Sequence, residues 1–270
     1  MLSDATLNLW DGIREDAIAY FSRNQIAWWR GSEEQTPPGH LLSSQVACVN
    51  HLYFARQRAD VATAILKSVD DSIDSAVVVD DGFVEFEVIG GEDYLNERNR
   101  TRGANCTSVD AMMVGRRAGG DRVLVLIEWK YTESYGIKDL YVQKRAERYD
   151  SLMSADGSPI TIDDTEALYY EPFYQLMRQT LLGSEMVKHE EYGARDFVHV
   201  HVVPDGNSEL RETVTSSALK RFGDNVSDAW KAVLARPERF VSLDPEQLLA
   251  PVLMLPDTQS AATYLRNRYW

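Results

Sequence analysis

Cysteine is nearly absent: Cys48 and Cys106 are the only two thiols in 270 residues, and both fall in segments that read as core elements. Buried thiols are therefore expected rather than a disulfide. No apolar run approaches the ~20 residues that a membrane-spanning helix needs, and the opening Met1-Leu-Ser-Asp-Ala lacks both a basic n-region and an apolar core. A cytoplasmic protein with no membrane partner is the expectation. Positive charge is also scarce, since 28 Lys and Arg against 42 Asp and Glu leave a net charge of −14. A chain of that balance does not coat nucleic acid electrostatically, because such binding depends on basic charge that displaces counterions. Internal repeats and low-complexity tracts are missing as well. What remains is an ordinary chain, 44% hydrophobic, long enough to bury a substantial core as one domain with extensions.

The most informative stretch is Thr107-Ser-Val-Asp110 followed, after Gly119-Gly120, by Arg122-Val-Leu-Val-Leu-Ile-Glu128-Trp-Lys130. It reads as two strands joined by a turn. Alternation along the second puts Leu124, Leu126, Glu128 and Lys130 on one face and Val123, Val125, Ile127 and Trp129 on the other. Five consecutive apolar residues, 123–127, imply a strand covered on both faces, where an unpaired charge is costly. Glu128 and Lys130 therefore need partners. A hairpin lays Asp110 beside Glu128, and two close carboxylates call for a cation, best a hard divalent metal bound by oxygen. The plain alternative is a structural ion pair at a sheet end.

Asp110 followed 128 − 110 = 18 residues later by Glu128-x-Lys130 resembles the PD-(D/E)XK superfamily of restriction-endonuclease-like nucleases. The surrounding order supports it. Residues 42–69 read as a long helix opened by Ser43-Ser44, and 83–89 as an alternating strand. Pro172 precedes Phe173, Leu176, Met177, Thr180 and Leu181 at helical spacing, and residues 197–203 form a strand ended by Pro204. The expected fold is thus α/β, with a core of helix, three strands, helix and strand over 41–204. Residues 1–40 add a helical N-terminal extension and loop, and 205–270 a mainly helical C-terminal one. The phrases Ser43-Ser-Gln-Val-Ala-Cys-Val-Asn50, Gly103-Ala-Asn-Cys-Thr-Ser-Val-Asp110 and Glu128-Trp-Lys-Tyr-Thr-Glu-Ser-Tyr135 also look like a narrower bacterial family of restriction-type nucleases.

The resemblance implies a Mg²⁺-dependent endonuclease or exonuclease, with Mn²⁺ as a substitute. Its partner would be DNA, with RNA and a homodimer left open. It makes Asp110 and Glu128 metal ligands, and has Lys130 orient or help deprotonate the attacking water. It also directs Gln175 at the site. Val109 stands where the superfamily's name has proline, a position that is not a ligand. Glu85 and Glu87 alternate onto one face of the first strand, and Glu87 is the candidate extra ligand. A protein that keeps this fold and binds nucleic acid without cutting it is the competing reading.

Gln175, Arg178, Gln179 and Leu182 share one face of the second helix, and such a polar face ordinarily meets solvent. Arg98, Arg100 and Arg102, immediately before the Asp110 strand, are the preferred phosphate-binding loop. Glu92, Asp93 and Glu97 are their alternative partners. Lys138, Lys144, Arg145 and Arg148, with Tyr141 and Tyr149 interleaved, form a second basic surface. His199 and His201 share a strand face, for which packing is favoured over a metal site. Near the start, Leu7, Trp10, Ala17 and Phe21 make a helical stripe, and residues 31–39 read as a connecting loop. Helical patches are expected at 228–234 and 245–253. Tyr264, Leu265, Tyr269 and Trp270 need burial against the core.

Overall fold

The computed structural model describes residues 1–29 and 36–270, so most of the loop read at 31–39 lies outside the described residues. The apolar run of 123–127 becomes β4 (Arg122–Trp129), the centre of a six-stranded mixed sheet. It pairs antiparallel with β3 (Val109–Arg117) and parallel with β5 (Ala194–Val202). Every β4 residue from Val123 onward is buried, as a strand covered on both faces requires.

The outer edge of β3 is shared by two short strands, β1 (Ile73–Val77) along residues 114–117 and β2 (Glu85–Val88) along 109–112. At the other edge β6 (Phe240–Leu243) runs parallel to β5. The segment 205–270 is thus mainly helical but also extends the sheet. One face of the sheet packs on α1 (Arg14–Arg23), α2 (Ser44–Leu52), α3 (Ala59–Val69), α8 (Pro245–Leu249) and α9 (Gln259–Arg268). The other packs on α4 (Gln143–Met153), α5 (Phe173–Lys188) and α7 (Val226–Lys231), and α6 (Ser208–Glu212) follows β5. Val123, Val125, Ile127 and Trp129 belong to the first core, Leu124 and Leu126 to the second, which is the alternation expected for β4.

Three expectations are corrected. Residues 42–69 are not one helix. Ser43 caps α2 as expected. The chain then turns at 53–58 and buries Arg56, whose guanidinium lies 4.0 Å from the Tyr20 ring and donates to the Asp80 and Val84 carbonyls. A buried guanidinium needs acceptors that a continuous helix would not supply. Glu85 and Glu87 do not share a face, because Glu87 adopts a left-handed φ of 52° that breaks the alternation. Phe86 enters one core and Val88 the other, while Glu85 accepts from the Tyr192 hydroxyl. Leu7 is 52% exposed, since Asp4 caps a short 3-10 turn that ends before α1 starts.

Elsewhere the ends pack as read. Trp10 stacks on Tyr264 at 5.9 Å, Leu265 is buried, and Tyr269 and Trp270 lie against the first core. Among the described residues no helix is long and apolar enough to cross a membrane.

Candidate active site

Pairing of Ala111 with Ile127 brings the next residues out along the ladder, Asp110 and Glu128, to adjacent positions on β3 and β4. The Trp129 backbone N–H donates to Asp110 Oδ2 at 2.7 Å, which fixes that carboxylate against the neighbouring strand. Lys130 follows at the end of β4, with its own N–H bonded to the Val202 carbonyl of β5 at 2.8 Å. Its Nζ donates to Glu128 Oε1 and to Gln175 Oε1, both at 2.5 Å. An ammonium has three N–H donors, so one is left over, on a group that lies 5.9 Å from the Tyr135 ring.

The polar face of α5 meets this group, not solvent. Gln175 holds Lys130, while one turn on Gln179 donates to Glu128 Oε2 and, at 2.8 Å, to the Ser108 carbonyl. Behind them Gln45 of α2 donates to Glu87 Oε1 at 2.7 Å, and the Ser108 hydroxyl donates to Glu87 Oε2 at 2.9 Å. Glu87, Glu128, Lys130 and Gln179 are all buried. They line a cleft of about 550 Å³ together with Asp110, Gln175, Arg145, Arg148 and Arg178.

The charges are unbalanced. Burial, then repulsion from Glu128 and Glu87, pushes the Asp110 carboxyl well above its usual range. Burial pushes Glu87 up to about 7 despite the hydrogen bonds from Gln45 and Ser108, with Glu128 adding to the shift. Burial opposes the charged form of Lys130, yet the combined attraction of Glu128, Tyr135, Asp110 and Glu133 outweighs it and holds the ammonium charged. A cation added beside Asp110 and Glu128 would relieve both the burial cost and the repulsion.

Among the described residues no group of three or more His, Cys, Asp or Glu side chains stands ready to hold a metal ion. Both oxygens of Glu87, the expected extra ligand, accept hydrogen bonds, from Gln45 and Ser108, as both oxygens of Glu128 do from Lys130 and Gln179. Asp110 and Glu128 are the two carboxylates on adjacent ladder positions. That donor set fits a hard cation that takes one or two carboxylates and completes its shell with water and phosphate oxygens.

The arginine loop does not reach this cleft, since none of Arg98, Arg100 and Arg102 lines it. Arg102 is used by the fold: it donates to the Glu87 and Phe86 carbonyls and pairs with Glu85 at 3.2 Å. Arg100 donates to the Gly90 and Gly91 carbonyls and stands 4.0 Å from Glu92. Arg98 is exposed. Arg145 and Arg148 of the second basic surface do line the cleft, as does Arg178, which the sequence placed only on a polar helix face.

His199 and His201 are buried against Phe240, and His199 Nδ1 lies 3.0 Å from the Thr180 hydroxyl. Burial lowers the first to about 3 and the second well below its usual value, which favours the neutral imidazole at both. Cys48 is buried beneath the acids, whereas Cys106 is only half-buried, in the loop that lines the cleft; both thiols are free.

One family model, described as Restriction Endonuclease associating with ARP, matches residues 4–270, so the chain belongs to that family. Neither the curated proteins nor the solved structures provide a match.

Proposed function

Starting from that family membership, we propose that the chain is a metal-dependent nuclease that hydrolyses DNA phosphodiester bonds, with a role in restriction or defence. The observation that carries the reading is the placement of Asp110 and Glu128 on adjacent strands, with the Lys130 ammonium 2.5 Å from Glu128, at the floor of an arginine-lined cleft.

Asp110 and Glu128 are the residues that would hold Mg²⁺, or Mn²⁺ in its place. When bound, such an ion supplies Lewis acidity, a more acidic bound water and compensation of charge on the entering and leaving oxygens. The protein's own groups do the positioning. Gln179 and Lys130 fix the two oxygens of Glu128, and the Trp129 N–H fixes Asp110. Gln175 aims Lys130, whose remaining N–H offsets charge on a non-bridging phosphate oxygen or orients the attacking water. Glu87 supports the site from behind through Gln45 and Ser108.

The test is incubation of purified protein with linear, circular and single-stranded DNA, and with RNA, with and without Mg²⁺ or Mn²⁺. Cleavage that needs the metal and is lost in Asp110→Asn supports the reading. Binding of DNA with no cleavage under any condition would replace it with a silent nucleic-acid-binding protein on the same fold. Cleavage of circular DNA would identify an endonuclease, and cleavage confined to RNA would change the substrate.

A further inference from the structure

We propose that Arg178, Arg145 and Arg148 form a phosphate-holding subsite beside the Asp110, Glu128 and Lys130 group, which takes a second phosphate of the nucleic-acid strand being cut. The inference rests on the nuclease reading and extends it from the reacting phosphate to its neighbour.

Several arginines of this chain are neutralised by a neighbouring carboxylate. Arg117, Arg102, Arg211, Arg195 and Arg236 all stand within 4 Å of a carboxylate. Arg145, Arg148 and Arg178 make no ion pair among the described residues, and they gather in one cleft of a protein whose net charge is −14. The nearby acids lie beyond ion-pair distance and are hydrogen-bonded elsewhere: Glu171 attracts Arg178 but accepts the Gln175 N–H at 3.3 Å. Glu97 accepts the Thr107 N–H, the Thr107 hydroxyl and the Tyr149 hydroxyl, each at 2.6 Å, and Glu133 accepts the Tyr131 N–H at 2.6 Å.

Two of the guanidiniums are nevertheless held in place. Arg178 lies 4.6 Å from the centre of the Tyr174 ring and donates to the Thr107 hydroxyl at 3.1 Å. Arg145 stands 5.3 Å from the same ring and donates to the Leu140 carbonyl. Arg148 is half-buried one turn further along α4, and no hydrogen bond or ion pair engages it among the described residues. Tyr174, which braces two of the cations, and Tyr149, which packs on it at 6.0 Å, are buried and not free to stack on a base.

Partly buried guanidiniums fixed by rings and short of acceptors call for an anion with several oxygens in one plane of approach. Phosphate fits that fork geometry. Arg178 shares an α5 face with Gln175 and Gln179, and its partner Thr107 lies three residues before Asp110, so a phosphate held there neighbours the reacting one on the same strand. The shared chemistry admits two sources, a terminal phosphate or an internal phosphodiester.

The experiment measures binding of fluorescent oligonucleotides by anisotropy across salt concentrations, in an Asp110→Asn background that prevents cleavage and keeps the Glu128 to Lys130 pair. Probes are 5′-phosphorylated, 3′-phosphorylated and unphosphorylated single strands, with unlabelled circular single-stranded DNA as competitor. Arg148→Gln, whose side chain has no partner to lose, and Arg178→Gln should each weaken binding irrespective of sequence. Each should also reduce the slope of log affinity against log salt by about 0.7 on single strands.

A loss confined to one phosphorylated end identifies a terminal phosphate, and an equal loss for circular competitor identifies an internal one. If both variants bind like the parent, or lose affinity with an unchanged slope, the subsite is wrong and the nuclease reading stands. If the parent binds no DNA at any salt concentration, both fail.

Discussion

At the far end of β3, Arg117 donates to Asp70 at 2.8 Å and to Asp196 at 3.0 Å, and Asp196 also receives Arg239 at 2.7 Å and Arg236 at 3.4 Å. Burial works against these carboxylates, yet the surrounding guanidiniums, with Ser72 at Asp70, hold both acids below their usual range. At the near end of the same strands the proportions reverse. Asp110, Glu87 and Glu128 face one ammonium, and Asp110 and Glu87 are driven upward. Both ends hold partly or fully buried charge, but only one is satisfied by the protein alone. The far end is a structural ion network. The near end keeps an excess of negative charge, a cost to folding that a cation held there would remove, which is the contrast expected between a metal-binding site and a sheet-end ion pair.

The largest expected effect breaks the near end. Glu128→Gln keeps the volume and removes the ligand charge, and Lys130→Met keeps much of the stem and removes the ammonium. Each should reduce metal-dependent DNA cleavage on the order of 10²-fold or more, about 3 kcal/mol or more of transition-state stabilisation. Single-turnover rates measure this, and full activity in Lys130→Met would leave the lysine a structural role only.

The comparison is then inverted by paired substitutions. Asp196→Asn removes the acid shared by three guanidiniums, leaving Arg239 without a carboxylate while Arg117 keeps Asp70 and Arg236 keeps Glu238, and should cost about 1–2 kcal/mol. Asp110→Asn should instead raise the melting temperature of the metal-free protein, since it removes a repelled carboxylate. It should also abolish the stabilisation that Mn²⁺ gives to the wild type. Thermal melts with and without Mn²⁺ decide it, and a destabilised metal-free Asp110→Asn would mean that the two ends are alike.

The near end was legible in the sequence because β4 is a regular strand. Strict alternation from Val123 to Lys130 is enough to place Glu128 and Lys130 on the α5 face, and the following ladder position brings Asp110 alongside. The far end was not legible. Asp70, Arg117, Asp196 and the Arg236, Arg239 pair come from four separate segments, and only the closed sheet brings them together. Elements that break local rules were also missed. Glu87 leaves the alternation through a positive φ, Arg56 interrupts a helical pattern to enter the core, and β1 and β6 are five and four residues long with exposed or half-exposed positions. Arg178 needed tertiary information as well, since a polar helix face looks the same toward solvent or toward a cleft.

A smaller effect separates the ends by pH. The folded-state pKa values of Asp70 and Asp196 lie below the unfolded value of about 3.9, so their stabilisation is fully present above that value. It is lost as pH falls through the folded values. Melting temperature should therefore fall on acidification below about pH 4. Asp196→Asn should flatten that fall, and melts in low-salt buffers from neutral to acid would show whether it does.

The smallest effect concerns the arginine loop, where the same contrast between charge used by the fold and charge left over recurs within five residues. Arg102 is bound to two carbonyls and Glu85, so Arg102→Gln should cost about 1–2 kcal/mol through the acceptors it abandons. Arg98 is exposed, and its backbone N–H rather than its guanidinium is held, by Asp93 Oδ2 at 2.8 Å. Arg98→Gln should leave stability unchanged within about 0.5 kcal/mol. If its guanidinium meets a phosphate, the substitution lowers the salt slope of duplex binding by about 0.9, and Arg102→Gln does not. Measuring both variants by anisotropy and by melting resolves the loop into its two uses. A slope change in Arg102→Gln without loss of stability would show that the crossing of Arg102 to Glu85 opens to admit DNA, and would return the loop as a whole to the binding surface.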